Sequence, residues 1–153
     1  MRITNETLVK ADLNAVWAAW NNPQDIKQWN AASDDWHTTQ SSVDLREGGK
    51  FSARMEAKDG SAGFDFEGTY TRIVAQKIIE YRLEDGRHVK VEFAEGPDGV
   101  LVRETFEAES QNDREVQRRG WQAILDNFAR HVEAKPDEAL RGSRLSSNDT
   151  RQR

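Results

Sequence analysis

Glu104 is the side chain in this sequence best placed to do chemistry. It stands two residues after Val102 and two before Phe106, so the three share one phase of a period-two pattern. A strand built from that run turns Glu104 to the same side as its apolar neighbours, toward an interior. A carboxylate there loses hydration, and its pKa rises unless a partner keeps it ionised. Glu104 then reads as a polar anchor or a proton donor at the floor of a pocket. The competing readings are a bulge that turns it outward, or a buried arginine or tryptophan N–H that satisfies it for structural reasons.

The densest polar cluster is Asp34-Asp35-Trp36-His37. Two carboxylates beside an imidazole are the residue types of a metal site or an acid–base pair. Successive residues project in different directions, however, and no further His or Cys stands at ligand spacing. His88 and His131 fall on a separate predicted strand and near the end of a predicted helix. No metal site is therefore expected. No Ser-His-Asp or Cys-His combination can be assembled either, so no catalytic residue is assigned. The phosphate-cradling patterns GxGxxG and GxxxxGKS/T are absent. The cluster reads instead as a loop, either one that caps a cavity, with Trp36 and His37 at its entrance, or a simple connecting loop.

The chain has 153 residues, enough for one domain with a real core, and its Trp, Phe and Tyr number 5, 6 and 2. A formal charge of -5 argues against sequence-independent binding to nucleic acid. No run approaches the roughly 18 apolar residues of a membrane span. The opening MRITNETLVK lacks the apolar core of a signal peptide, so a cytoplasmic location is expected. Without cysteine there is neither a disulfide framework nor thiol chemistry. No cofactor is expected.

The elements that must position Glu104 follow from periodicity. Residues 112–133 form a long amphipathic helix, with Asn112 as N-cap and Glu115 completing a capping box. Trp121, Leu125, Phe128 and Val132 make its apolar stripe, with Gln117 a turn earlier and Ile124 beside Leu125. Gly120 interrupts the stripe, which suggests close backbone approach or open space. Residues 2–10 read as a first strand, with Ile3, Thr7 and Val9 on one face. Asp12 caps a short helix carrying Leu13, Val16, Trp17 and Trp20, and Asn22-Pro23 starts a second with Ile26 and Trp29 inward.

From His37 to Glu109 the pattern is an antiparallel meander. Residues 38–45 are a weak strand, and Phe51, Ala53 and Met55 alternate along the next. Phe64, Phe66, Gly68 and Tyr70 follow, then Ile79, Tyr81 and Leu83, then Val89, Val91 and Phe93, and last the strand of Glu104. Strict alternation buries one face of the sheet and wets the other. Asp65 and Glu67 fall on the wet face, where they can pair with Arg54 across a hairpin. A twisted sheet of about seven strands curls, and the long helix covers its concave side. The fold class is α+β, a helix-grip domain over residues 1–134 with two short helices after strand one. Residues 135–153, rich in Ser and charge, read as a disordered tail. Small inward residues, Ala53 and Gly68 in the sheet facing Gly120 on the helix, argue for unfilled space between the layers.

This order of elements resembles the START-related, birch-allergen-like superfamily known as SRPBCC. Val16-Trp17 after Ala11, Trp29, Gly48-Gly49-Lys50-Phe51, Gly68-Thr69-Tyr70 and Gly120-Trp121 are similar to its branch named for the activator of the heat-shock-protein-90 ATPase. The stretches WNAASDDWH, MEAKDGSAGFDFEGTY and GWQAILDNF resemble a bacterial subgroup of that branch. The resemblance spans about residues 1 to 134. It implies a pocket for an apolar or aromatic small molecule and carries no universal catalytic residue. The superfamily includes lipid carriers, cyclases, hydrolase-like and dehydratase-like enzymes, and co-chaperones.

Together these readings favour a binding module for a hydrophobic small molecule, aromatic or lipid-like, held between sheet and long helix. Its expected liners are Phe51, Met55, Phe66, Tyr70, Tyr81, Phe93, Glu104, Trp121, Leu125 and Phe128. An enzyme using the same cavity, with Glu104 as acid or base and His37 assisting, is the second reading. A co-chaperone acting on an ATPase through its outer surface is the third, and the sequence indicates no particular protein partner.

Overall fold

The computed structural model describes residues 2–135. The chain runs β1 (Arg2–Val9), α1 (Leu13–Asn21), α2 (Pro23–Trp29), β2 (Trp36–Val43), β3 (Lys50–Ala57), β4 (Gly63–Val74), β5 (Ile78–Leu83), β6 (His88–Gly96), β7 (Gly99–Glu107) and α3 (Arg114–Glu133). The strands form one seven-stranded antiparallel sheet in the order β1-β7-β6-β5-β4-β3-β2. Register shifts between Thr38 and Gln40 and between Tyr70 and Arg72 bend the sheet, because a bulge sharpens the local twist. The sheet curls into a half-barrel around α3, the helix-grip arrangement expected from the order of elements. The expected tail lies outside the described residues apart from Lys135. Among the described residues no helix is long and apolar enough to cross a membrane.

Caps and turns follow the local chemistry. Asp12 accepts a hydrogen bond from the Ala15 amide at 2.8 Å, and Asn22 accepts one from Gln24 at 2.8 Å. Pro23 at the first position of α2 gives up no needed donor. The start of α3 differs from expectation by one residue. Asp113, not Asn112, caps it, accepting from the Glu115 and Val116 amides at 3.0 and 3.3 Å. Val116 then occupies the third helical position, so no capping box closes. Glu115 grips Arg118 instead, at 2.9 Å, and Asn112 is held by Glu109. The second strand also begins earlier than expected, because Trp36 and His37 pair with Ala57 and Glu56. Asp44 and the residues after it leave the ladder to form the turn before β3.

The helix α3 lies along β1 rather than over the middle of the sheet. Polar stitches hold it there. Asn5 donates to the Arg118 carbonyl at 3.0 Å, Gln122 to the Glu6 carbonyl at 3.0 Å, and Arg114 to the Arg2 carbonyl at 3.0 Å. At its C-terminal end Glu133 accepts from the Lys10 amide at 2.8 Å. There the buried Asp25 of α2 also meets His131 at 2.8 Å and Lys135 at 2.7 Å. On the outer face of the sheet Arg54 meets Asp65 at 3.4 Å as expected, with Glu56 as its nearer partner at 3.1 Å; no such pair is seen for Glu67 among the described residues.

Phe128, Leu125 and Val132 of α3 are fully buried. Phe128 packs edge-on against Trp20 and Trp29, and Phe93 against Trp17 and Trp20. This aromatic knot plugs the end of the half-barrel where α1 and α2 sit. The Trp29 indole N–H donates to the Ala19 carbonyl at 3.0 Å, so the one polar atom it buries is satisfied.

Two glycines that look alike in sequence have different surroundings. A Cβ on Gly68 would lie 2.7 Å from the Phe51 ring and 2.9 Å from the Arg82 carbonyl oxygen. Gly68 therefore does not open the interior as its small size suggests, because Phe51 lies across it. A Cβ on Gly120 would meet nothing within 4 Å. Gly120→Ala is expected to raise the unfolding free energy by about 1 kcal/mol, the ordinary helix-propensity difference. Gly68→Ala is expected to lower it by about 1–3 kcal/mol through overpacking. Urea unfolding of both variants checks the pair, and an unfavourable Gly120→Ala would mean that the space beside the helix is not free.

Candidate functional site

A partly enclosed cavity of about 270 Å³ lies between α3 and the strands β2 to β5, with Glu104 of β7 among its walls. It is there because α3 is held at the β1 edge while the sheet curls away. From α3 come Gln117, Trp121, Ile124 and Leu125, one side of the helix at helical spacing. From the sheet come Ser41, Phe51, Ala53, Met55, Phe66, Tyr70, Ile79 and Tyr81. Trp20, Ile26, Trp29 and Asn30 close the end near the short helices, and Arg87 and Glu109 stand among the remaining liners.

The aromatic side chains are arranged rather than heaped. Trp121 stacks on Phe106 with centroids 3.9 Å apart and planes 9° from parallel, and meets Phe66 edge-on at 6.1 Å. Phe51 packs against Phe66, Tyr70 and Tyr81 at 5.8, 5.3 and 4.7 Å. These contacts fix the orientation of flat walls without filling the space between them.

Glu104 is 6% exposed and lines this cavity. In the sheet it stands between Asn5 of β1 and Val91 of β6. Asn5 donates to the Arg118 carbonyl of α3, and no hydrogen bond or ion pair to the Glu104 carboxyl is seen among the described residues. Among the described residues, neither a buried arginine nor a tryptophan N–H satisfies it. Burial alone pushes Glu104 up to about 8 from 4.5, because the charged form loses its hydration. The hydroxyls of Tyr81 and Tyr70 are raised as well. Burial is the main cause for each, followed by the charge of Glu104 for Tyr81 and that of Asp44 for Tyr70. Ser41 adds a buried hydroxyl with no partner. By contrast Gln117 is fully engaged, accepting from the Glu109 amide at 2.9 Å and donating to the Asn112 carbonyl at 2.8 Å.

The structure brings Phe51, Met55, Phe66, Tyr70, Tyr81, Glu104, Trp121 and Leu125 to one cavity. Phe93 and Phe128 do not line it; they belong to the aromatic knot, because α1 and α2 cover that end of β6 and α3. Trp36 and His37 do not line it either. They line a neighbouring surface groove with Lys27, Lys58, Arg130 and His131. Trp36 reaches the cavity's edge only through Phe64, 5.9 Å away and itself 47% exposed. Among the described residues, no three metal-ligating side chains converge. Sequence reading missed Trp20, Ile26 and Trp29 as liners, and Arg87 and Glu109 too. The first three carried a signal, since short helices that plug the end of a curled sheet must touch its interior; the turn residues carried none.

The pH dependence of stability follows from Glu104. Its folded-state value lies above the unfolded one, so between about 4.5 and about 8 the native protein holds a proton that the unfolded chain has lost. The stability contribution is complete below 4.5 and falls away as pH rises toward about 8. Relative to Glu104→Gln, the unmodified protein is expected to lose on the order of 3 kcal/mol between acid pH and neutrality. Urea midpoints of the two proteins across that range check this, and parallel curves would contradict it.

A family model described as "Activator of Hsp90 ATPase homolog 1-like protein" matches residues 10–133. An AHSA1-like protein from Aeromonas hydrophila, known as a solution structure, is 54% identical, with 88% of this chain and 93% of that one covered and a TM-score of 0.83. A protein from Cytophaga hutchinsonii is 42% identical over 86% of this chain and 92% of its own, with a TM-score of 0.76. A protein from Chromobacterium violaceum shares only the fold, at 21% identity, 88% and 99% coverage and a TM-score of 0.78. None of the curated proteins matches the chain. With more than half of its length matched, and with these relatives beside it, the chain belongs to the Activator of Hsp90 ATPase homolog 1-like family of the SRPBCC superfamily.

Proposed function

We propose that this protein binds a hydrophobic small molecule, aromatic or lipid-like, in the cavity between the sheet and α3. Phe51, Met55, Phe66, Tyr70, Tyr81, Trp121 and Leu125 supply the apolar walls, and Glu104 the polar anchor. The observation that carries the reading is an aromatic-walled space of about 270 Å³ that contains a buried carboxyl with no partner among the described residues. An unpaired polar group at such depth is costly to the fold, and a ligand that meets it offsets the cost. Ligand pockets commonly combine apolar walls with a few placed polar groups.

A second reading has one observation in its favour. Glu104 keeps its proton at neutral pH, the state required of a general acid. An enzyme acting in the same cavity would lose turnover in Glu104→Gln and keep its fold.

Ligand-observed NMR with planar hydrophobes, read also at the Trp121 indole N–H, tests the binding role. Hits that move the Trp121 signal and lose affinity at least tenfold in Trp121→Ala are expected, on the order of the 1.4 kcal/mol that one stacked ring supplies. A screen in which every hit leaves Trp121 unmoved would place binding elsewhere and defeat the proposal.

A further inference from the structure

Glu104 shares its cavity with titratable groups from several elements. β5 brings Tyr81, whose hydroxyl feels the Glu104 charge, and β4 brings Tyr70 beside it. The turn between β5 and β6 brings Arg87, held by Asp85 at 2.8 Å. The segment after β7 brings Glu109, which accepts from the Asn112 amide at 2.8 Å. The walls drawn from α1, α2, α3, β2 and β3 carry no titratable side chain. Glu104's own neighbours in the sheet are the uncharged Asn5 and Val91.

We infer that the ligand is a hydrophobic amine, its apolar part among the aromatic walls and its ammonium against the Glu104 carboxylate and the Tyr81 hydroxyl. The inference rests on the binding role proposed above and specifies its ligand class. A carboxyl buried without a cation leaves room for one from outside, since burial alone removes water and supplies nothing in return. The cation already on the wall, Arg87, is paired with Asp85, and its charge acts on the Tyr81 hydroxyl more weakly than that of Glu104. Glu109 adds a second carboxylate, so an anionic ligand would meet like charge where screening by water is weak.

The choice between an amine and a neutral molecule of the same shape turns on magnitude. With Glu104 near 8, ionising it at neutral pH costs only about a factor of ten in population. A charge-assisted ammonium–carboxylate hydrogen bond is roughly twice as strong as a neutral one, and the aromatic faces attract the cation further. A neutral ligand would receive one ordinary hydrogen bond from the protonated acid. The ion pair is therefore the stronger outcome.

The test compares naphthylethylamine, naphthylethanol and naphthylacetate, which share a ring system and differ in charge, by titration calorimetry on the whole protein. Near neutral pH the amine is expected to bind about tenfold more tightly than the alcohol, with the acetate weaker still. Affinity for the amine should rise about tenfold per pH unit toward about 8 while the amine remains protonated, and binding should release a proton. Glu104→Gln should bring the amine down to the level of the alcohol and remove the pH dependence. The slope in the unmodified protein carries the same test without any variant. An alcohol or acetate that binds as tightly as the amine, or an amine preference that survives Glu104→Gln, overturns the inference and leaves the binding role standing. Failure of all three probes to bind overturns both.

Discussion

The constraint on which the structure depends is that α3 is fastened along one edge of the sheet and cannot settle onto its centre. Asn5, Glu6 and Arg2 of β1 each hold a backbone or side-chain group of the helix, and Glu133 closes the far end on Lys10. Asp25, buried between α2 and α3, adds a clamp with His131 and Lys135. A helix freed of these ties would lower its energy by closing on the apolar sheet, because every void in a close-packed interior forfeits dispersion contacts. The polar stitches oppose that collapse. They are local and directional, and each is satisfied in one helix position only.

The two halves of the interior use aromatic residues in opposite ways. Around Trp20, Trp29, Phe93 and Phe128 the rings meet at 4.9 to 5.9 Å and fill the end of the half-barrel. Around Phe51, Phe66 and Trp121 comparable contacts brace the rings against one another and against Phe106 while their free faces bound empty space. The first cluster anchors the short helices and so stabilises the fold. The second keeps an apolar surface in a fixed shape, which, under the proposed binding role, reduces the ordering cost when a guest arrives. One residue class thus serves tight packing at one end and, in the proposed role, readiness to bind at the other.

Glu104 marks where those two demands conflict. Its burial, with no partner among the described residues, weakens the fold at neutral pH, and a sequence under selection for stability alone would place an apolar residue there. Strain and unmet polarity of this kind concentrate at functional sites. Kinship with the AHSA1-like protein of Aeromonas hydrophila extends the fold to a relative with half the sequence changed. Kinship at that level speaks to the scaffold, whereas the chemistry resides in what the cavity presents.

The order of elements, the period-two face of most strands and the inward aim of Glu104 were legible in the residues alone. Each depends on a local periodicity that a neighbour in space does not alter. Asp12 and Asn22-Pro23 likewise announced their helix starts through chemistry confined to a few residues. The cap of α3 moved from Asn112 to Asp113 because Glu109, brought near by the turn after β7, claims the asparagine. Phe51 covers Gly68 from an adjacent strand, so a small residue in the sequence became a filled position in the fold. Phe93 and Phe128 share the phase of the cavity liners, yet α1 and α2 close over them. Periodicity decides which side of an element faces inward; only packing between distant segments decides whether the space it faces is occupied.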